Sequence, residues 1–443
     1  MSRFVLAMAL CIGLFGASAA SNARAQTTYL SGYAGGRPTE AELDPRSYFE
    51  AAAEAGLFEA LEGGPIEVAQ AEALLSASDV TLEDLARTHL LRREGQMLAI
   101  DFAYFSLDDM ERIHAVVASY APSLAAAYDA HRSEFAQIFN QYPNAGVSRG
   151  DLAFVTLAGV SLNWDALKIT LERDWRAPIM VSAGLARYSF WASAEPADYS
   201  YHGFYWGSSS FPSGPYNFPE NPADFTFSSF GDPYSEPRMN FPDLLYLPRA
   251  ALREDIAAAA DQVGLTAETL AGAHIEDALG FSFARPAAAI LFALHRGPKD
   301  VDALGAELGS SDQERLPEIL TLLETAHYVR AQGDGVYELT APVFDQQDQA
   351  MLDAALALSG SIMSEWLSEN YLPMQNAIGP LTMERHGHAY AAAFTQIWHE
   401  LFGRATRELV QTGLVADPYA DGQASPGSIS LLWRTSLYDF TPG

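Results

Sequence analysis

The chain has 443 residues, 49% of them hydrophobic, a single cysteine, and 56 acidic against 26 basic residues, for a formal net charge of −30. Such an acidic surface repels phosphate backbones and argues against nucleic-acid binding, while one cysteine excludes a disulfide framework and a thiolate metal cluster. The length can supply a buried core in two domains without such staples.

Residues 1–25 read as a secretory signal peptide. Arg3 gives the positive start, Phe4 to Gly16 is apolar but shorter than a bilayer span, and Ala23-Arg24-Ala25 offers a small-x-small cleavage site. Cleavage before Gln26 removes Arg3, Arg24 and Cys11 but no acid, so the charge of −30 becomes −32 and the mature chain has no thiol. The expected location is the periplasm or the outside of the cell. No later apolar run is long enough for stable membrane insertion.

The predicted organisation is a first helical unit over 26–186, an aromatic and Pro-rich insertion over 187–248, and a second helical unit over 249–443. The first unit contains Leu57-Phe58-Glu59-Ala60-Leu61 and the turn Gly63-Gly64-Pro65. A short helical stretch from Ile66 to Leu75 and a longer one from Leu82 through Leu91 follow, then a strand from Met97 to Ile100. Met110, Ile113, Val117, Tyr120, Leu124, Tyr128, Phe135 and Phe139 recur at three- and four-residue steps, with a gap at His131. This spacing predicts one long amphipathic helix, bent near Pro122.

The insertion crowds aromatic residues among eight prolines between Pro196 and Pro242. Prolines at that density argue against helix and central strand, whereas the aromatics argue against a disordered linker. An ordered, irregular segment is expected. Its large amphipathic rings, Trp191, Tyr205, Trp206, Phe211 and Tyr216, are the candidate binding residues.

The second unit repeats the order of the first. Leu291-Phe292-Ala293-Leu294 and Arg296-Gly297-Pro298 precede helical stretches from Asp300 to Leu308 and from Leu316 through Val329, then a strand from Val336 to Leu339. Met351, Ala355, Leu358, Ile362 and Trp366 mark another long amphipathic helix. Trp164 and Trp398 hold matching positions in the helices that follow, where core packing explains both. The pattern predicts a tandem duplication and a mainly α fold.

The order of helix, Gly-Pro turn, short helix, longer helix, Gly turn and strand resembles a winged helix-turn-helix. The second copy matches better, through Ile290 to Pro298, Val301 to Gly309, and His327 to Thr340. It is similar to MarR-like regulators and to the dimerisation domain of small-molecule O-methyltransferases. The resemblance implies a scaffold whose long helices pair with each other or with those of a second copy, so a dimer stays open. It does not carry either family's activity. Glu314, Glu318, Glu324 and Asp334 stand where a DNA reader needs basic residues, and no Gly-rich dinucleotide unit follows either copy.

Chemistry-bearing groups are sparse. Glu384 and His388 share one helical face at i and i+4 if 385–404 is a single helix, which makes them the candidate metal ligands, for Zn²⁺. His399-Glu400-Leu401-Phe402-Gly403 begins like a zinc-protease motif but lacks the second histidine. Acidic residues in the insertion are an alternative source of oxygen ligands for Ca²⁺. The expected function is an exported, non-catalytic binding or scaffolding protein that meets a protein or glycan of the cell envelope through the insertion. The alternative is a secreted hydrolase of a saccharide or polyester, working in a cleft beside the insertion.

Overall fold

Two Gly-Pro turns set out the architecture. In the computed structural model, residues 27–33, 44–165, 181–183, 186–195, 205–211, 225–231, 286–325, 328–417 and 429–434 are described. The leader and Tyr216 lie outside them. The described chain is mainly α-helical.

The first array of elements runs through helices Arg46–Glu54 and Leu57–Leu61, strand Ile66–Glu67, helices Val68–Leu75 and Leu82–Arg87, and the hairpin Leu91–Glu94 with Met97–Ile100. Gly64 takes a φ of 129°, a left-handed backbone that only glycine adopts without strain, and its N–H bonds the Leu61 carbonyl at 2.9 Å. Met97–Ile100 lies between the other two strands, pairing Ile66 with Leu98 and Leu91 with Ile100. Stacked Phe49 and Phe58, 4.8 Å apart, meet Phe102 and Tyr104 in one aromatic cluster. Leu57, Leu61, Leu85 and Ile100, all fully buried, complete the core.

Thr81 and Asp84 close a capping box at the start of helix Leu82–Arg87, each side chain taking the other's backbone N–H, at 3.2 and 3.1 Å. Thr81→Ala is expected to lower stability by about 1 kcal/mol. Urea unfolding checks this, and an unchanged midpoint would contradict it.

The second array runs through a helix over 286–295, strand Lys299–Asp300, helices Val301–Ala306 and Leu316–Thr325, and the hairpin Val329–Gly333 with Val336–Leu339. The strand order is the same as in the first, with Val336–Leu339 in the middle. The turns match in detail. Gly297 has φ 127°, and its N–H bonds Leu294 O at 2.9 Å. Val68 N–H bonds Gln96 O as Val301 N–H bonds Gly335 O, and Leu90 N–H bonds Leu85 O as Tyr328 N–H bonds Leu323 O. The arrays differ in the helix break at Gly56, in the one-turn helix Ser310–Gln313, and in an irregularity between Ala331 and Gly333.

The long helices depart from the periodicity at particular places. Leu107–Asp129 continues through Pro122 and buries Met110, Ile113, Val117, Leu124 and Tyr128. It stops there, and a separate helix, Arg132–Phe139, buries Phe135 and Phe139. The gap at His131 is therefore a real break, because His131 precedes the second helix as its cap residue. The corresponding helix Gln349–Ile378 runs unbroken through Pro373. Helix Arg149–Ala153 widens into a π-helix over Phe154–Asp165, whose residues 154–162 are all buried. Helix Tyr390–Gln411 carries the fully buried Trp398.

The insertion is more regular than its composition suggests. Ala186–Glu195 is an inner strand, pairing antiparallel with Thr27–Tyr33 and with Val181–Ala183, and parallel with Ala103–Phe105. A second sheet has the order Val343–Phe344, Ile429–Arg434, Phe225–Gly231, Tyr205–Phe211. Phe225–Gly231 is thus a central strand, against expectation. The reason is spacing: the eight prolines fall outside the strands, five between them and three after Gly231, and each strand itself is proline-free.

The described residues group into two compact units. One lies within Met1–Tyr128, Leu162–Gly203 and Gly360–Glu408, the other within Asp129–Ser161, Phe204–Ser359 and Leu409–Gly443. Each unit contains one array together with a segment from the other side of the insertion.

Candidate functional site

The aromatic candidates divide between two sheets. Trp191 is half-buried on strand Ala186–Glu195, opposite Ser31, and its ring stacks on His399 at 5.9 Å and 28°. Tyr205, Trp206 and Phe211 occupy strand Tyr205–Phe211, in register with Gly231, Phe230 and Phe225. That strand ends its sheet: Phe225–Gly231 is its one ladder partner among the described residues. Among the described residues, its other edge has no ladder partner.

Glu384 and His388 are separated by a backbone break. Helix Thr382–Arg385 is a single turn, Gly387 takes φ 82°, and the next helix starts at Tyr390, so 385–404 is not one helix. The Glu384 carboxylate accepts the Leu381 N–H at 2.8 Å, and His388 Nε2 donates to the Ile100 carbonyl at 2.9 Å. Among the described residues no group of three His, Cys, Asp or Glu side chains is placed to hold a metal ion.

His388 and His386 together clamp the end of the first hairpin at Ile100. His386 is 1% exposed. Its Nε2 donates to Leu61 O at 2.8 Å, and its Nδ1 accepts the Ile100 N–H at 3.3 Å. One ring nitrogen must donate and the other accept, which only the neutral imidazole can do. Arg92 adds bonds to the His386 and Ile100 carbonyls. Burial pushes both histidines below their ordinary value; His388, then Arg92 and Arg385, add to the effect on His386, and Arg92 to that on His388, while the bonds to Leu61 and Ile100 work the other way, as does Asp101 on His388.

The sign of the resulting pH dependence follows. Below pH ~6.5 the unfolded chain takes up protons on these histidines before the folded chain does. Their contribution is intact above that pH and is lost as the medium acidifies. Thermal unfolding between pH 8 and 5 should therefore show a falling midpoint, with a shallower slope in His386→Gln. Parallel slopes would refute the assignment. Glu62, raised by burial and then by Glu59 and Asp109, acts in the opposite sense, so the wild-type-to-variant difference is the informative quantity.

The other unit holds a buried row that the sequence reading passed over. Asp348, His295 and Tyr142 are 3%, 2% and 2% exposed. Asp348 Oδ2 lies 2.9 Å from His295 Nε2 and also accepts the Asp345 N–H at 2.8 Å. The Tyr142 hydroxyl donates to Val343 O at 2.8 Å, accepts the Val343 N–H at 2.9 Å, and sits 3.4 Å from His295 Nδ1. Burial raises its ionisation well above the ordinary phenol range. Carboxylate, imidazole and phenol in a row have the makings of a proton relay. Here the outer two groups are tied to backbone, which suits a lock between segments. The sequence signal was the pair Asp345 and Asp348, a helix-start capping pattern that recurs as Ser106 and Asp109.

Asp109, fully buried, also accepts the Thr382 N–H at 2.9 Å and an Arg112 N–H at 2.6 Å. The two halves of the His399-Glu400 motif diverge. His399 meets Trp191 and Phe402, while buried Glu400 faces His114 Nε2 at 3.6 Å.

No family model, no curated protein and no solved structure matches the chain.

Proposed function

We propose that this chain is an exported, non-catalytic scaffolding protein that captures an extended, cationic polypeptide segment on the outer strand Tyr205–Phe211. The observation that carries the reading is the place of that strand at the end of its sheet, with Tyr205, Trp206 and Phe211 on it. Strand addition supplies affinity through main-chain bonds, and flanking aromatic rings supply selectivity. The net charge of −30 favours a basic occupant.

The two arrays serve in this reading as tandem winged-helix-like modules, a duplication used as scaffold. Their repeated strand order and turn hydrogen bonds support it. Acidic residues lie in the first turns of helices Leu82–Arg87 and Leu316–Thr325, unlike the basic reading helices of DNA binders.

Deleting 190–240 would take inner strands out of both sheets, so the test uses point changes. A photoreactive phenylalanine analogue in place of Trp206 should give one discrete adduct in intact producing cells, and the same probe at exposed Leu372 should not. Prolines placed singly at Gly207 and Ser208 sample the inward and outward amides. The outward one should abolish the adduct while circular dichroism is unchanged. Equal labelling at 206 and 372, or an adduct insensitive to both prolines, would contradict strand capture.

A further inference from the structure

The two arrays are each closed by a loop from the opposite side of the sequence, and the closures correspond. In the first array, the Leu61 carbonyl at the Gly-Pro turn accepts the Gly64 N–H at 2.9 Å and His386 Nε2–H at 2.8 Å. In the second, the matching Leu294 carbonyl accepts the Gly297 N–H at 2.9 Å and Asn144 Nδ2–H at 3.0 Å. His386 and Asn144 both lie in the loop that follows the long helices of their own half and precedes the next helix. The compact units group accordingly: 360–408 falls with the first array, and 129–161 with the second.

We propose that the chain is a fused pair of mutually completing halves, in which the loop of each half is the occupant of a docking surface on the array of the other. The surface consists of the helix end before the Gly-Pro turn and the segment entering the long helix. In the first array it binds His386, and Thr382 through Asp109. In the second it binds Asn144 at Leu294, and Tyr142 at Val343. A surface that accepts the sister loop in cis accepts it equally from a separate chain carrying the same loop. The folding unit is then a half-pair, and neither half closes its own array. This inference is independent of recognition through strand Tyr205–Phe211.

The test starts from the folded full chain with a protease site inserted between Leu247 and Pro248. After cleavage, native mass spectrometry should find both fragments in one particle with the mass of the intact chain and an unchanged circular dichroism spectrum. Its unfolding midpoint should become concentration-dependent. Asn144→Ala in one fragment and His386→Ala in the other should each weaken reassociation by about tenfold, the effect of one lost buried hydrogen bond. Exposed Ser76→Ala should not. Two separate, independently folded fragments would overturn the proposal, as would reassociation indifferent to both loop changes.

Discussion

Trp398→Ala is expected to cost about 4 kcal/mol, the largest single loss in the helical part of the protein. The indole is fully buried on helix Tyr390–Gln411. It packs against Trp366 at 6.5 Å and Phe394 at 5.9 Å, and its Nε1–H donates to the Leu162 carbonyl at 2.5 Å. Alanine removes the ring contacts, opens a cavity, and leaves that carbonyl without its donor. Trp398→Phe separates the contributions: most of the packing returns and the carbonyl alone goes unmet, for a loss of about 1–3 kcal/mol. Urea unfolding of the three proteins reads both steps. A loss under 1 kcal/mol for the alanine variant would mean that this helix does not depend on Trp398.

The second large effect is at Asp348. Asp348→Ala should lower stability by about 3 kcal/mol, because it takes one partner from a buried hydrogen-bonded pair and leaves the other behind. The remaining His295 Nε2 and the Asp345 N–H both lose their acceptor. His295→Ala should cost comparably, and the double variant should cost clearly less than the two singles together. The coupling read from that cycle measures the pair itself. Strict additivity would show that Asp348 and His295 act independently, and the lock described above would fall.

Much of the local architecture was legible in the sequence, and the failures have separate physical causes. The strands Met97–Ile100 and Val336–Leu339, the Gly64 and Gly297 turns, and the apolar faces of the long helices are local signals, and each appears where its residues say. The single helix expected through Phe139 fails at His131, and the one expected over 385–404 fails at Gly387. In both places one residue outweighs an otherwise continuous period.

The insertion was misjudged because proline density was averaged over a segment in which prolines and strands alternate. Pairing between distant segments, such as Ile429–Arg434 with Phe225–Gly231, leaves no trace in local periodicity. The same holds for the buried polar groups. Asp109, Asp348, His295 and His386 look like ordinary surface residues until the segment that meets each is known. Of the site candidates, Trp191 is placed against His399, while Glu384 and His388 each hold a backbone group of the protein.

Amide hydrogen exchange across the second sheet tests the central claim most directly, since recognition on Tyr205–Phe211 requires an inner strand beside it and an open outer edge. In the free protein, residues 225–231 should be protected at every amide, because they pair on both sides with Ile429–Arg434 and Tyr205–Phe211. Residues 205–211 should alternate, slow at inward amides and fast at outward ones. Uniformly slow exchange over 205–211 would show that the edge is already covered. Uniformly fast exchange over both segments would show that the sheet does not form.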